Sequence, residues 1–132
     1  AKVCIQSFEK CDWQIPLEAG VDIISFDAYN NPNNINIISE KINAFLQKGG
    51  VINWGIVPVK NETIIKSTSV EKIYDRFIST VNALVVAGVD ENLAFNNAMV
   101  STQGDLENLP LFFAEKALIL ATQLAKRIPV KG

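Results

Sequence analysis

Two stretches decide the fold of this chain: Val21-Asp22-Ile23-Ile24-Ser25-Phe26-Asp27-Ala28-Tyr29, and further on Gly49-Gly50-Val51-Ile52-Asn53-Trp54-Gly55-Ile56-Val57-Pro58. Each is a short apolar run flanked by Gly, Pro or polar residues. Such a run reads as a strand covered on both faces, and strands of that kind usually belong to parallel sheets sandwiched by helices. Between the two runs, Ile38, Ile42, Phe45 and Leu46 recur at helical spacing, with Asn34 or Asn36 as candidate caps and Gly49-Gly50 as the stop.

Working outward, Lys2 to Phe8 reads as a short strand, followed by a polar loop around Glu9 to Asp12 and a brief helical turn near Gln14 to Ala19 that Gly20 closes. Asn30-Asn31-Pro32-Asn33-Asn34 is a turn, because Asn tolerates left-handed backbone and Pro fixes φ. Pro58 to Lys66 reads as a loop carrying Glu62. Thr68 with Glu71 then makes a capping-box pattern at the head of a helix. Val70, Ile73, Tyr74, Phe77, Ile78, Val81, Leu84 and Val85 form a wide apolar stripe along that helix, and Gly88 ends it. Asp90 to Asn96 reads as a short helical turn and Ala98 to Ser101 as a weak strand. Pro110 opens a last long helix that runs to about Arg127, before Pro129. The expected fold class is therefore α/β, with four β-α units whose parallel strands are joined by right-handed crossovers.

Composition narrows the function. A chain of 132 residues is one domain by length and is large enough to bury roughly two thirds of its unfolded surface. The formal net charge is −2 and the Lys and Arg residues are scattered, which argues against nucleic acid as a partner. No apolar stretch approaches the ~18 residues needed to span a bilayer, and the first residues lack a basic-then-apolar leader pattern. Two cysteines make no disulfide scaffold, so a reducing, cytoplasmic setting is expected. The absence of histidine removes the commonest general base and the commonest zinc ligand together.

In α/β folds the chemistry sits at the carboxyl ends of the strands, which makes Asp27, Tyr29, Trp54 and the segment after Pro58 the places to look. Asp27 either presents a carboxylate to the strand mouth or caps the following turn. Tyr29 and Trp54 either line a ligand pocket or pack, and strand alternation points Trp54 and Asn53 to opposite faces. Glu62 and Ser101-Thr102-Gln103 lie on strand-end loops, as substrate contacts or as solvated turns. Cys4 is a metal ligand or a small buried strand residue, and Cys11, beside Lys10, is reactive or inert.

Taken together, Ile24-Ser25-Phe26-Asp27-Ala28-Tyr29 and Gly49 to Pro58, with Cys11-Asp12-Trp13, resemble the second half of the uroporphyrinogen decarboxylase and cobalamin-independent methionine synthase superfamily. The resemblance covers nearly the whole chain, with the long third helix and the Ala114 to Ala125 helix in the expected order. It implies that the four β-α units correspond to the last four strands of a (β/α)₈ TIM barrel. A complete barrel takes about 250 residues, so this chain has about half. Half a barrel leaves two unpaired edges. The consequences to expect are a dimer that completes a barrel, a flattened open sheet, or a piece that joins a missing N-terminal half. Ala1 in place of an initiator Met favours a fragment or processed chain, with a tag remnant as the alternative.

The resemblance also implies a site. Zinc-dependent members hold the ion with a His-x-Cys pair on one strand end, a carboxylate on the next and a Cys near the last strand. Here Lys2 stands at the His position, Cys4 at its Cys, Asp27 at the carboxylate, and Ser101-Thr102-Gln103-Gly104-Asp105 offers no Cys. The residual metal positions are thus Cys4 and Asp27, and no tightly bound zinc is expected. Arg76 and Arg127 are the only arginines, too few for the arginine-rich carboxylate patch of the decarboxylases. The resemblance therefore points to the methyltransferase branch, with the isolated chain catalytically incomplete. The alternative is a stand-alone, non-enzymatic α/β module that binds a small ligand or self-assembles. Substrate-lining candidates under either reading are Asp27, Tyr29, Trp54 and Gln103.

Overall fold

A computed structural model of the protein describes residues 4–7, 22–32, 35–104, 106–107 and 109–128. The fold is α/β. Strands β1 (Cys4–Ser7), β2 (Ile23–Phe26), β3 (Val51–Val57) and β4 (Ala98–Thr102) form one parallel sheet in the order β1-β2-β3-β4. The helices are α1 (Ser39–Gln47), preceded by a 3₁₀ turn at Asn36–Ile38, then α2 (Glu62–Ser67), α3 (Val70–Ala87), α4 (Glu91–Asn96) and α5 (Leu111–Arg127). The helical turn expected at Gln14 to Ala19 lies outside the described residues.

Sheet alternation separates two sets of side chains. Ile24, Phe26, Ile52, Trp54 and Ile56 belong to the core, where they meet Phe77, Val81 and Leu84 of α3, Phe95 of α4 and Leu120 and Leu124 of α5. The ring of Trp54 lies 5.4 Å from Phe26 and 6.3 Å from Phe77, and Phe77 lies 6.3 Å from Phe95, the last two contacts edge-on. Each such pair adds about 1 kcal/mol beyond the area it buries. The alternate set is different in kind. Register aligns Ser25, Asn53 and Met99 in one row, and none of the three belongs to the core cluster. Asn53 Nδ2 donates to Ser25 Oγ at 3.0 Å, while the buried Asn53 Oδ1 has no partner among the described residues.

Helix ends follow local chemistry, with three departures from the sequence reading. Residues Glu62–Ser67, expected as loop, form α2, because the Asn61 side chain accepts from the backbone N–H groups of Thr63 and Ile64. The cap of α3 is Ser69 rather than Thr68: Ser69 Oγ accepts from Lys72 N, and Thr68 Oγ1 donates back to the Ile64 carbonyl. Glu71 is thereby free to pair with Arg127 at 3.7 Å instead of closing a capping box. Asn36 opens the 3₁₀ turn, and α1 has no side-chain cap. Gly88 terminates α3 at φ +130°, a conformation that suits only glycine. Among the described residues no helix is long and apolar enough to cross a membrane.

Candidate functional site

The carboxyl end of the sheet is built on Gly55. A Cβ at this position would lie 2.7 Å from the Phe26 carbonyl oxygen and 3.1 Å from that of Thr102, so only glycine lets the ends of β2 and β4 close over β3. The Gly55 carbonyl then accepts from the N–H groups of Ala28 and Tyr29 at 3.1 and 3.2 Å. This turns the chain sharply after Phe26 and leaves Asp27 beneath the turn. The β3–β4 register also shifts between Gly55 and Val57, and that shift carries Gln103 in over the strand end, where its N–H donates to the Val57 carbonyl at 2.7 Å.

Asp27 is the hub of this arrangement. Its side chain is fully buried. Oδ1 accepts from Tyr29 N and Asn30 N, both at 3.0 Å. Oδ2 accepts from Asn30 Nδ2 at 3.3 Å, Lys60 Nζ at 3.3 Å and Gln103 Nε2 at 3.2 Å. Gln103, also buried, turns its Oε1 toward Val59 N at 3.1 Å. One carboxylate thus ties together the ends of β2, β3 and β4. Asp27 closes the turn after β2 through Oδ1, and its Oδ2 faces Lys60 and Gln103 at the strand end.

A carboxylate offers about four lone-pair directions, and five donors already take them here. A zinc ion would have to displace the Lys60 ammonium and the Gln103 amide, and the ammonium already supplies the charge that balances Asp27. Gln103 lies within the last-strand segment where the resemblance calls for a Cys. Cys4 opens β1 opposite Ile23, its side chain outside the described part, and Lys2 and Cys11 lie outside the described residues altogether. Among the described residues no group of three or more His, Cys, Asp and Glu side chains is placed to hold a metal. Among the described residues, then, the donor set does not fit a zinc centre.

The remaining candidates are dispersed. Trp54 is completely buried between Phe26 and Phe77 on the helix-covered side, away from Asp27. Tyr29 stands at the rim, where the Arg76 guanidinium carbon lies 4.0 Å above its ring centre and Arg76 Nη2 donates to the Tyr29 carbonyl at 2.8 Å. Glu62 is exposed in the first turn of α2, where its charge suits the helix N-terminus. Ser101 and Thr102 spend their hydroxyls on the neighbouring carbonyls of Thr102 and Gly104. Sequence reading marked the segment after Pro58 without singling out Lys60, whose only signal is its place just past the end of β3, and counted Arg76 only as one of two arginines. Comparison with family models, with curated proteins and with solved structures finds no match to this chain.

Proposed function

We propose that this chain is the second half of a methionine synthase-like (β/α)₈ barrel, a methyltransferase by descent that cannot run zinc-dependent methyl transfer by itself. The observation that carries the reading is the convergence of Asp27 and Gln103. Asp27 is the position at which the resemblance places a metal carboxylate, Gln103 lies within the Ser101 to Asp105 segment in which it places a strand-end Cys, and the two meet at the carboxyl ends of β2 and β4 in a parallel sheet whose spatial order follows the chain. Further support comes from what the sheet leaves open. β1 and β4 are its edges, the row Ser25-Asn53-Met99 is small, polar or half-exposed, and Leu111, Phe112, Leu118 and Ile119 of the last helix stand exposed. In a closed barrel that row would face the filled interior, and the flank of the last helix would meet the first helix.

On this reading Asp27 and Gln103 are positioning residues that fix the strand mouth, and Lys60 stands where an ion's charge would be. The partner is four further strand-helix units, supplied by a missing N-terminal half or by self-association. The working compartment is the cytoplasm. Co-expression with the first four units of a methionine synthase-like barrel tests the proposal. A one-to-one complex that unfolds as a unit supports it. Two chains that remain separate, with this one cooperatively folded, contradict it.

The saturation of Asp27 favours a second reading, a stand-alone α/β module without catalysis that binds a small ligand. A carboxylate with every lone pair occupied is a structural clamp, and the same co-expression experiment separates the two readings.

A further inference from the structure

We propose that a second site lies outside the strand mouth: a cavity of about 300 Å³ between the turn after β2 and the first turns of α3 binds the oxyanion group of a small ligand, a phosphate or a carboxylate. Tyr29, Ser67, Thr68, Lys72 and Arg76 line it, together with two isoleucines, and no acidic residue does. Lys72 and Arg76 are one turn apart on α3 and so share a face. Neither has an acidic partner among the described residues, where the ion pairs are Lys60 with Asp27 and Arg127 with Glu71. The cavity therefore holds two positive charges with no counter-charge of its own.

Both cations already have partners on the cavity wall. Arg76 lies over the Tyr29 ring at 4.0 Å and donates one N–H to the Tyr29 carbonyl. A guanidinium held by its face and one edge keeps its other N–H groups for a planar or tetrahedral oxyanion. Lys72 Nζ is steadied by the Ser67 carbonyl at 3.2 Å, which uses one of its three donors. Ser67 and Thr68 both donate their hydroxyl protons to the Ile64 carbonyl, so the donors for a ligand come from the two cations. The platform beneath Arg76 is itself fixed by the strand mouth, because Tyr29 N bonds both Asp27 Oδ1 and the Gly55 carbonyl. Ordering in advance lowers the entropic cost of capture.

Calorimetric titration of the purified chain with inorganic phosphate, and separately with acetate, tests the site, and the tighter of the two identifies the ligand chemistry. The expected result is saturable one-site binding that weakens roughly tenfold or more in Arg76→Gln and in Lys72→Gln, the loss of one charge-assisted contact. Arg76→Lys should retain part of the affinity, and Lys48→Gln, an exposed cation outside the cavity, should retain all of it. Tyr29→Leu should also weaken binding, since Arg76 loses its platform; non-specific attraction to surface charge would not respond to that change. Circular dichroism confirms that each variant is folded. Binding of neither anion, or an equal loss in Lys48→Gln, overturns the site. The proposal rests on the cavity alone and stands or falls independently of the half-barrel reading.

Discussion

Gln103 donates its side-chain amide to the Asp27 carboxylate at 3.2 Å across a separation of 76 positions, both side chains buried at the carboxyl end of the sheet. That bond joins strands that are not neighbours, β2 and β4, and spans the strand between them. Around it the Lys60 ammonium, the Asn30 side-chain amide and two backbone N–H groups complete the network.

The network predicts unequal costs for its members. Asp27→Ala leaves the Gln103 amide and the Asn30 N–H without this acceptor and the Tyr29 N–H with the Gly55 carbonyl alone, and should lower stability by about 3 kcal/mol. Lys60 is half exposed, so Lys60→Met should cost no more than about 1 kcal/mol. Urea unfolding of the two variants checks the order; equal losses would place the weight on the ion pair rather than on the buried bonds.

Gly55→Ala sets a methyl group 2.7 Å from the Phe26 carbonyl oxygen, and backbone cannot rotate away as a flexible side chain would. Overpacking of this kind costs about 1–3 kcal/mol. The expected signature is a chemical-shift change concentrated at Ala28, Tyr29 and Gln103, whose N–H groups gather at this strand end.

Trp54 separates a packing role from a ligand-lining one. Trp54→Ala should destabilise by about 3–5 kcal/mol through the cavity it leaves. Trp54→Phe should cost less than volume alone implies, because it keeps the ring contacts and removes an indole N–H that is buried without a partner among the described residues. Neither change should alter phosphate affinity, since Trp54 does not line the cavity. Thermal unfolding and titration of the same variants measure both effects.

Much of this was legible in the sequence because it rests on local signals. The apolar runs at 23–26 and 51–57 are strands, and the stripe from Val70 to Val85 is a helix stopped by Gly88. Pro110 opens the last helix as read, and Asp90 caps the short one, its carboxylate accepting from Leu93 N. Helix α2 escaped because six residues are too few to show a period, and its only signal is the Asn61 cap. The strand-end rule singled out Asp27, but not what holds it, for the Gln103 and Lys60 contacts come from distant parts of the chain and carry no local pattern. The same rule marked Trp54, yet Trp54 sits in the middle of β3 and its alternation parity is that of the core residues Ile52 and Ile56.

Metal content follows from the donor arithmetic. Native mass spectrometry after incubation with zinc should find the chain without a stoichiometric ion, because ligation would require Asp27 to release Lys60 and Gln103. One zinc per chain, lost in Cys4→Ser, would show that the network opens for a metal.

The half-barrel claim meets its most direct test in the mass of the purified chain by light scattering across a wide range of concentration. Two parallel edges unpaired among the described residues and the exposed flank of α5 predict association that grows with concentration. A monomer at every concentration that unfolds in one cooperative step would contradict the account, because it would mean that the four strands are complete as they stand.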